Sequence, residues 1–197
     1  MDITAKMVKE LRAATGAGVL DCRNALVETK GNLDEAVDIL RQKGLEEAQQ
    51  RKEREANEGV VATYVHSGSR IAAMVELNCE TDFVAATEEF QALAKELTMQ
   101  VAASSPIYVT SDDIPQDVVA KQAEAYQSEM EAANKPPHIL ERIVSGKMQK
   151  FYEESCLLEQ PYIRDTDISV GELIDRNNAT LGENISVRRF VRYELGK

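Results

Sequence analysis

The apolar periodicity of this chain changes near Asn57, and this change limits the fold more than any other feature of the sequence. Before Asn57, apolar residues recur three and four positions apart, which is typical of helices with one buried face. After it, apolar and partly β-branched runs at residues 60–65 and 71–77 are separated by a Ser-Gly-Ser turn, which is typical of a β-hairpin. We therefore predict an α+β protein in which a helical segment precedes a core that contains a small antiparallel sheet.

Two short helices are expected at the start of the chain. Thr4 can cap the first helix, and Gly16 and Gly18 are expected to end it in a turn. The second helix is expected from about residue 19 to Gly31. These two patterns leave room for one more helix within the first 44 residues.

The third helix is expected to begin after Asn32, which can cap it, with Glu35 three positions further on in a capping-box pattern. Gly44 is expected to end it. The residues expected to be buried on this helix are Leu33, Ala36, Val37, Ile39 and Leu40. We predict a compact three-helix bundle over residues 1–44. Because so small a bundle has little room for a pocket, we interpret it as a docking module.

The rest of the chain divides into a linker and a core. Residues 45–56 are almost free of large apolar side chains and rich in helix formers, which predicts an exposed helical linker that packs weakly. In the core, residues 57–197, one helix is expected over residues 87–103, and two more on either side of the Lys-Pro-Pro sequence at 135–137. The apolar stripe of the first of these helices consists of Phe90, Leu93, Ala94, Leu97 and Val101.

Two further elements are expected near the end of the chain. Ser169 and Glu172 form a capping-box pattern for a short helix through Ile174. Apolar residues then alternate in a final strand; they are Ile185, Val187, Val191, Tyr193 and Leu195. A sheet edge must be covered or paired, and pairing with an identical copy is the symmetric solution. We therefore predict a homodimer.

The charge and hydropathy of the chain exclude several classes of partner. The net charge is -11, and a surface this negative repels a phosphate backbone, so we expect no direct binding to nucleic acid. No apolar stretch approaches the roughly 18 residues that a membrane-spanning helix needs. We expect a cytoplasmic protein that does not bind a membrane.

The sequence contains no motif typical of an enzyme: GxxxxGK[ST], GxGxxG, HExxH and GxSxG are all missing. His66 at the hairpin turn could act as a general base, or it is a solvated histidine. Cys79 could be a nucleophile, or it is a buried structural thiol. Cys22, Cys79 and Cys156 are far apart, so neither a disulfide framework nor a zinc site fits. We predict no enzymatic activity, no cofactor and no metal.

One short segment is a candidate binding site. Residues 78–85 follow an alternating strand, precede a helix, and place the carboxylate of Asp82 next to the aromatic ring of Phe83. Connections of this kind often carry binding residues. The alternative is that Asp82 caps the helix and Phe83 packs in the core. The spacing of the residues alone favours this alternative, and the composition does not separate the two interpretations.

A family resemblance favours the first interpretation. The segments that carry it are VKELR at 8–12, TGAG at 15–18, DCRNAL at 21–26, CETDFV at 79–84, KFYEESCLLEQP at 150–161 and VRRFVRYE at 187–194. In this order and over the whole chain, the sequence resembles the bacterial translation elongation factor Ts family. The resemblance implies a guanine-nucleotide exchange factor for elongation factor Tu, with an N-terminal ubiquitin-associated-like three-helix domain and an α+β core.

The resemblance also implies which residues bind this partner. Asp82 and Phe83 would insert between helices of its nucleotide-binding domain and disturb the magnesium and phosphate contacts of GDP, while Thr81 and Val84 would shape the loop. The partner would be met in its GDP-bound form and held in a nucleotide-free complex.

The N-terminal domain would dock on another helix of the partner. The residues carried over for this contact are Arg12, Val19 and Leu20. The chain resembles the short form of the family, whose members have one core half and are expected to pair as homodimers. The alternative, from another class, is a ubiquitin-associated-type module fused to an unrelated interaction core, such as a chaperone adaptor.

Overall fold

The computed structural model describes residues 3–131 and 137–197. Lys135 and Pro136, at the predicted break between two core helices, lie outside the described residues. The helices in the described ranges are α1 (Ala5–Thr15), α2 (Val19–Glu28), α3 (Leu33–Arg51), α4 (Asp82–Ala85), α5 (Glu88–Ser104), α6 (Gln116–Glu131), α7 (Pro137–Ser155) and α8 (Val170–Leu181). The strands there are β1 (Glu58–Val65), β2 (Ile71–Cys79), β3 (Pro161–Tyr162), β4 (Asp165–Ser169) and β5 (Ser186–Glu194). The predicted α+β class is confirmed.

The first three helices form the predicted bundle. The Thr4 hydroxyl accepts a hydrogen bond from the Met7 N–H and caps α1, and Gly16 ends α1 in the left-handed region at φ +70°. The Asn32 side chain accepts from the N–H groups of Asp34 and Glu35 and caps α3. The core of the bundle consists of Leu11, Cys22, Ala25, Leu26, Ala36 and Leu40. Local capping and the three-to-four-residue apolar spacing therefore account for this part of the fold.

The predicted end of the third helix at Gly44 is wrong, because α3 continues to Arg51. Gly44 has a packing role instead. A Cβ atom at this position would lie 3.1 Å from the Cβ of Ala179 on α8, so the missing side chain allows the two helices to approach closely. For residues 45–56, the predicted helical conformation is confirmed as far as Arg51. The weak packing expected for this segment is wrong at Ala48, which is buried.

Strands β1, β2 and β5 form one antiparallel sheet with β2 in the centre. The predicted hairpin is confirmed, and its turn contains Gly68 at φ +86°. The alternation predicts one face with Ile71, Ala73, Val75 and Leu77. The last three are buried, as is Cys79, whereas Ile71 is half-buried. The predicted last strand is also confirmed, although only its first apolar positions are buried. Val191, Tyr193 and Leu195 are exposed.

Two elements extend what the sequence predicts for the core. The capping box of α8 is confirmed: the Ser169 N–H donates to the Glu172 carboxylate and the Glu172 N–H donates to the Ser169 hydroxyl, both at 3.1 Å. The helix runs past the predicted end at Ile174 to Leu181. Before it, β3 and β4 pair antiparallel in a small hairpin that the periodicity does not predict, because β3 has two residues and β4 contains one apolar residue, Ile168.

The α5 helix carries the predicted buried stripe, since all five of its predicted apolar residues are buried. Two compact units divide the described chain. The first contains Met1–Gly59, Asn78–Phe90 and Ile174–Ser186, and the second contains Val60–Leu77, Gln91–Leu173 and Val187–Lys197. The predicted functional division into residues 1–44, 45–56 and 57–197 stays a prediction. In the part of the chain that the structure describes, no helix is long and apolar enough to cross a bilayer.

Candidate partner-binding site

The connection between β2 and α4 presents an aromatic side chain to solvent. Thr81 is the N-cap of α4, and its hydroxyl accepts a hydrogen bond from the Val84 N–H at 3.4 Å. Asp82 is the first residue of the helix, and Phe83, the second, is 83% exposed. The alternative in which Asp82 caps the helix and Phe83 packs in the core is therefore wrong on both counts. The loop offers a polar and an apolar group side by side on one short turn of helix.

A carboxylate from a distant part of the sequence holds this loop. Glu183 lies between α8 and β5, and one of its oxygens accepts the Thr81 hydroxyl at 2.6 Å. Its other oxygen accepts the backbone N–H groups of Glu80 and Thr81, each at 3.1 Å. Hydrogen bonds to a charged acceptor are stronger than neutral ones. The start of the loop is therefore fixed, while Phe83 at its tip stays exposed.

The neighbouring side chains complete this arrangement. The Asn184 N–H donates to the Glu80 carboxylate at 2.7 Å, and the Asn184 side chain donates to the carbonyl oxygens of Lys52 at 3.4 Å and Arg54 at 2.7 Å. The Arg54 guanidinium lies 3.5 Å from the same Glu80 carboxylate. The buried Asn184 thus joins the segment after α3 to the loop before α4. The first compact unit contains all of these residues.

Cys79 is part of the support for the loop. Its thiol is fully buried and donates to the Thr81 carbonyl oxygen at 3.1 Å. Burial and, after it, the nearby Glu183 carboxylate raise the pKa of this thiol, so it stays protonated at neutral pH. The structural interpretation of Cys79 is the one that fits, because a nucleophile would need a lowered pKa.

Cys156 and His66 lie in different environments. Burial raises the pKa of the Cys156 thiol to about 11. His66 is exposed, and its Nδ1 lies 2.9 Å from the Tyr64 hydroxyl. Within residues 3–131 and 137–197, no group of three or more His, Cys, Asp and Glu side chains is placed to hold a metal ion.

The N-terminal candidates flank the turn between α1 and α2. Arg12 is in the last turn of α1, and Val19 and Leu20 are the first two residues of α2. All three are exposed, with Leu20 at 71%. Val27 is a further exposed apolar residue, which sequence reasoning missed. It lies seven positions after Leu20, a spacing that places the two on one face of the helix and that is visible in the sequence.

The residues that hold the loop cannot be recognised from local sequence patterns. They belong to the same compact unit as the bundle and the loop. Glu183 and Asn184 lie in a connection with no motif, more than 100 positions from Thr81. A pattern of apolar spacing carries no information about such a pair. Only the fold brings these side chains together.

Comparison with known proteins gives a consistent result over the whole chain. The family model described as Elongation factor TS matches residues 1–197. Elongation factor Ts of Thermodesulfovibrio yellowstonii is 52% identical over 197 residues, which cover 100% of this chain and 98% of the relative. The protein of the same name from Caldanaerobacter subterraneus subsp. tengcongensis is 51% identical over 195 residues, covering 99% of this chain and 98% of the relative. That from Geobacter metallireducens is 48% identical over 197 residues, covering 100% and 91%.

Proposed function

Because this chain belongs to the elongation factor Ts family, we propose that it is a guanine-nucleotide exchange factor for elongation factor Tu. It acts in protein synthesis in the cytoplasm and promotes the release of GDP without covalent chemistry of its own. The observation that carries the proposal is the exposure of Phe83 on a loop whose first residues are held by hydrogen bonds. An exposed aromatic side chain on a fixed support is suited to insert into a partner protein.

In the proposed mechanism, Phe83 inserts between helices of the partner's nucleotide-binding domain, with Asp82 beside it. Burial of a large apolar side chain stabilises a partner conformation by about 1.5–3 kcal/mol. If that conformation cannot keep full magnesium and phosphate contacts, the affinity for GDP falls by the corresponding factor. Thr81 caps the helix that carries Phe83, and the half-buried Val84 anchors it. No residue of this chain has to titrate.

Nucleotide and exchange factor then displace one another by linkage. If the factor lowers the affinity of elongation factor Tu for GDP, GDP lowers the affinity for the factor by the same ratio. The proposed partner states are the GDP-bound form, which the factor binds first, and the nucleotide-free complex, which it stabilises. A new nucleotide completes the cycle by releasing the factor.

The three-helix bundle is proposed to supply affinity. Arg12, Val19 and Leu20 would dock on a second helix of the partner, and exposed Val27 extends the same face of α2. Apolar side chains that remain exposed on a helix face are suited to such a contact, because their burial on binding is favourable. The bundle would therefore raise the local concentration of the loop at its target.

We also propose that the protein is a homodimer. In the second compact unit, five apolar residues of the sheet strands are exposed, namely Val61, Val65, Met74, Val191 and Tyr193, and three of them, Val61, Met74 and Val191, line one shallow cavity. An apolar patch of this kind favours coverage by another protein surface, and an identical copy is the commonest solution. Light scattering at micromolar concentration should give twice the 21.9 kDa mass of one chain. A mass near that of one chain would contradict the dimer.

The proposed activity is tested by the release of fluorescent GDP from purified elongation factor Tu. The chain should accelerate release in proportion to its concentration and then reach a plateau, because release within the complex becomes limiting. Excess unlabelled GDP should prevent the labelled nucleotide from rebinding, so that the signal measures release. Release at the spontaneous rate, at every concentration of a well-folded chain, would contradict the proposed function.

A further inference from the structure

The connection between α8 and β5 forms hydrogen bonds to the loop that carries Phe83, residues 80–84, which we call the exchange loop. We propose that Glu183 is a positioning residue, which holds the loop so that Phe83 is presented in its binding orientation before the partner arrives. This inference rests on the proposed function and deepens it. It adds to the exchange site a group that lies about 100 positions away in the sequence.

The geometry at Glu183 is that of a carboxylate with three donors. One oxygen accepts the Thr81 hydroxyl at 2.6 Å, and the other accepts the N–H groups of Glu80 and Thr81 at 3.1 Å. These are the residues directly before α4. The same Thr81 hydroxyl that donates to Glu183 accepts the Val84 N–H, so one hydrogen-bonded chain runs from Glu183 to the helix that carries Phe83.

The connection that carries Glu183 is itself fixed. Gly182 takes φ +76° and its N–H donates to the Asn178 carbonyl oxygen at 3.0 Å, which ends α8. The Ile185 N–H donates to the Asn178 side-chain oxygen at 2.9 Å. Glu183 therefore projects from a backbone that is held on both sides, and it can serve as a rigid anchor for the loop.

The roles of Glu183 and its neighbour Asn184 are different. Asn184 also donates to the carbonyl oxygens of Lys52 and Arg54, so its loss would disturb the end of α3 as well. The side-chain hydrogen bonds of Glu183 in the described structure go to Glu80 and Thr81. A change at Glu183 thus acts on the loop and leaves the contacts of Asn184 with the end of α3 in place, and this makes it the better test.

Without this anchor the loop has to be ordered when it binds. Ordering an interface segment on association reduces affinity, whereas a segment held beforehand avoids that loss. We expect Glu183→Ala to lower the second-order rate of GDP release about tenfold, equivalent to ~1.4 kcal/mol. Glu183→Gln should lose less, because its amide retains one acceptor oxygen for the backbone N–H groups. Hydrogen exchange at the Thr81 and Val84 amides should accelerate in both variants.

The decisive measurement is a double-mutant cycle with Phe83→Ala, read in the fluorescent-GDP assay together with thermal melts. If Glu183 acts through Phe83, Glu183→Ala should cost about tenfold in the wild-type background but less than twofold in the Phe83→Ala background. Glu141→Ala on the exposed surface of α7 removes the same charge and should leave release unchanged. Equal losses in both backgrounds would show a general structural role and overturn the inference.

The failure of the inference is distinguishable from that of the proposed function. Slow release by Phe83→Ala with full release by Glu183→Ala would support the role of Phe83 in exchange and reject the positioning role of Glu183. Full release by Phe83→Ala would reject the loop mechanism and the inference with it. Should Glu183→Ala unfold, Glu183→Gln in the two backgrounds provides the same comparison, and equal effects there would again overturn the inference.

Discussion

Replacement of Phe83 by alanine separates a partner-binding role from a structural one. Complete burial of a phenylalanine side chain stabilises a fold by about 1.5–3 kcal/mol. Phe83 is 83% exposed, so about a sixth of its surface contributes, and the expected loss of unfolding free energy is below ~0.5 kcal/mol. For a chain of this length, that loss corresponds to a melting-temperature shift of at most ~2 °C.

The expected effect of the same substitution on exchange is much larger. If the ring is buried in the partner, its removal forfeits about 1.5–3 kcal/mol of stabilisation, which corresponds to a decrease of about 10- to 150-fold in the second-order release rate. Asp82→Ala should lower the rate by a smaller amount, because an exposed polar contact contributes less than apolar burial. Stopped-flow release of fluorescent GDP and thermal melts on the same preparations measure the two quantities.

Phe90→Ala is the matched control for this prediction. It removes the same side chain seven positions away in sequence, but Phe90 is fully buried. Its truncation should cost about 3–5 kcal/mol and lower the melting temperature by roughly 6–20 °C. The reasoning would be refuted by a melting-temperature loss in Phe83→Ala comparable to that in Phe90→Ala. Full release by a well-folded Phe83→Ala protein would refute it equally.

Three further substitutions, with Gly146→Leu as a control for one of them, test the N-terminal docking residues, the contact between α3 and α8, and a buried tyrosine. Leu20→Ala should raise the factor concentration needed for half-maximal GDP release but leave the plateau rate unchanged, and an altered plateau would contradict a pure docking role. Gly44→Leu should lower the unfolding free energy by about 1–3 kcal/mol, because it forces apart two closely packed helices. Gly146→Leu, in an exposed turn of α7 with open space around it, should be neutral or stabilising in the same denaturant titration. Burial and the hydrogen bond to Glu96 raise the pKa of Tyr162 from 10.0 to about 12. The Tyr162 hydroxyl therefore stabilises the folded state fully below pH 10, and this stabilisation is lost as the pH rises through about 12. The difference in unfolding free energy between the unchanged protein and Tyr162→Phe, ~1.5 kcal/mol at pH 8, should shrink over that pH range.

Local features of the sequence determine most of the secondary structure of this protein. The caps at Thr4 and Asn32 and the capping box at Ser169 satisfy backbone groups within a few residues, so their patterns can be read directly from the chain. The same holds for the alternation along β2 and the stripe of α5, because a buried face imposes its period on the sequence.

Gly44 illustrates where this local reading ends. A glycine after a run of apolar helical residues is typical of a helix end, and the sequence contains nothing to separate that case from a glycine required by a neighbouring helix. The neighbour is Ala179, which lies 135 positions away. Its approach decides the role of Gly44, and the helix continues through it. The exposed half of β5 is a similar case, because the alternation predicts a strand but not which residues cover its apolar face.

The candidate site shows the same division most clearly. Residues 81–84 can be singled out from the sequence, because a carboxylate and an aromatic side chain adjoin where a strand meets a helix. Whether Phe83 is buried or exposed, and what holds it, depends on the tertiary structure. Thr81 and Glu183 are 102 positions apart, and their hydrogen bonds form only when the connection between α8 and β5 is folded against the end of β2. Hydrogen bonds between such distant residues leave no periodic trace in the sequence, whereas capping and apolar spacing do.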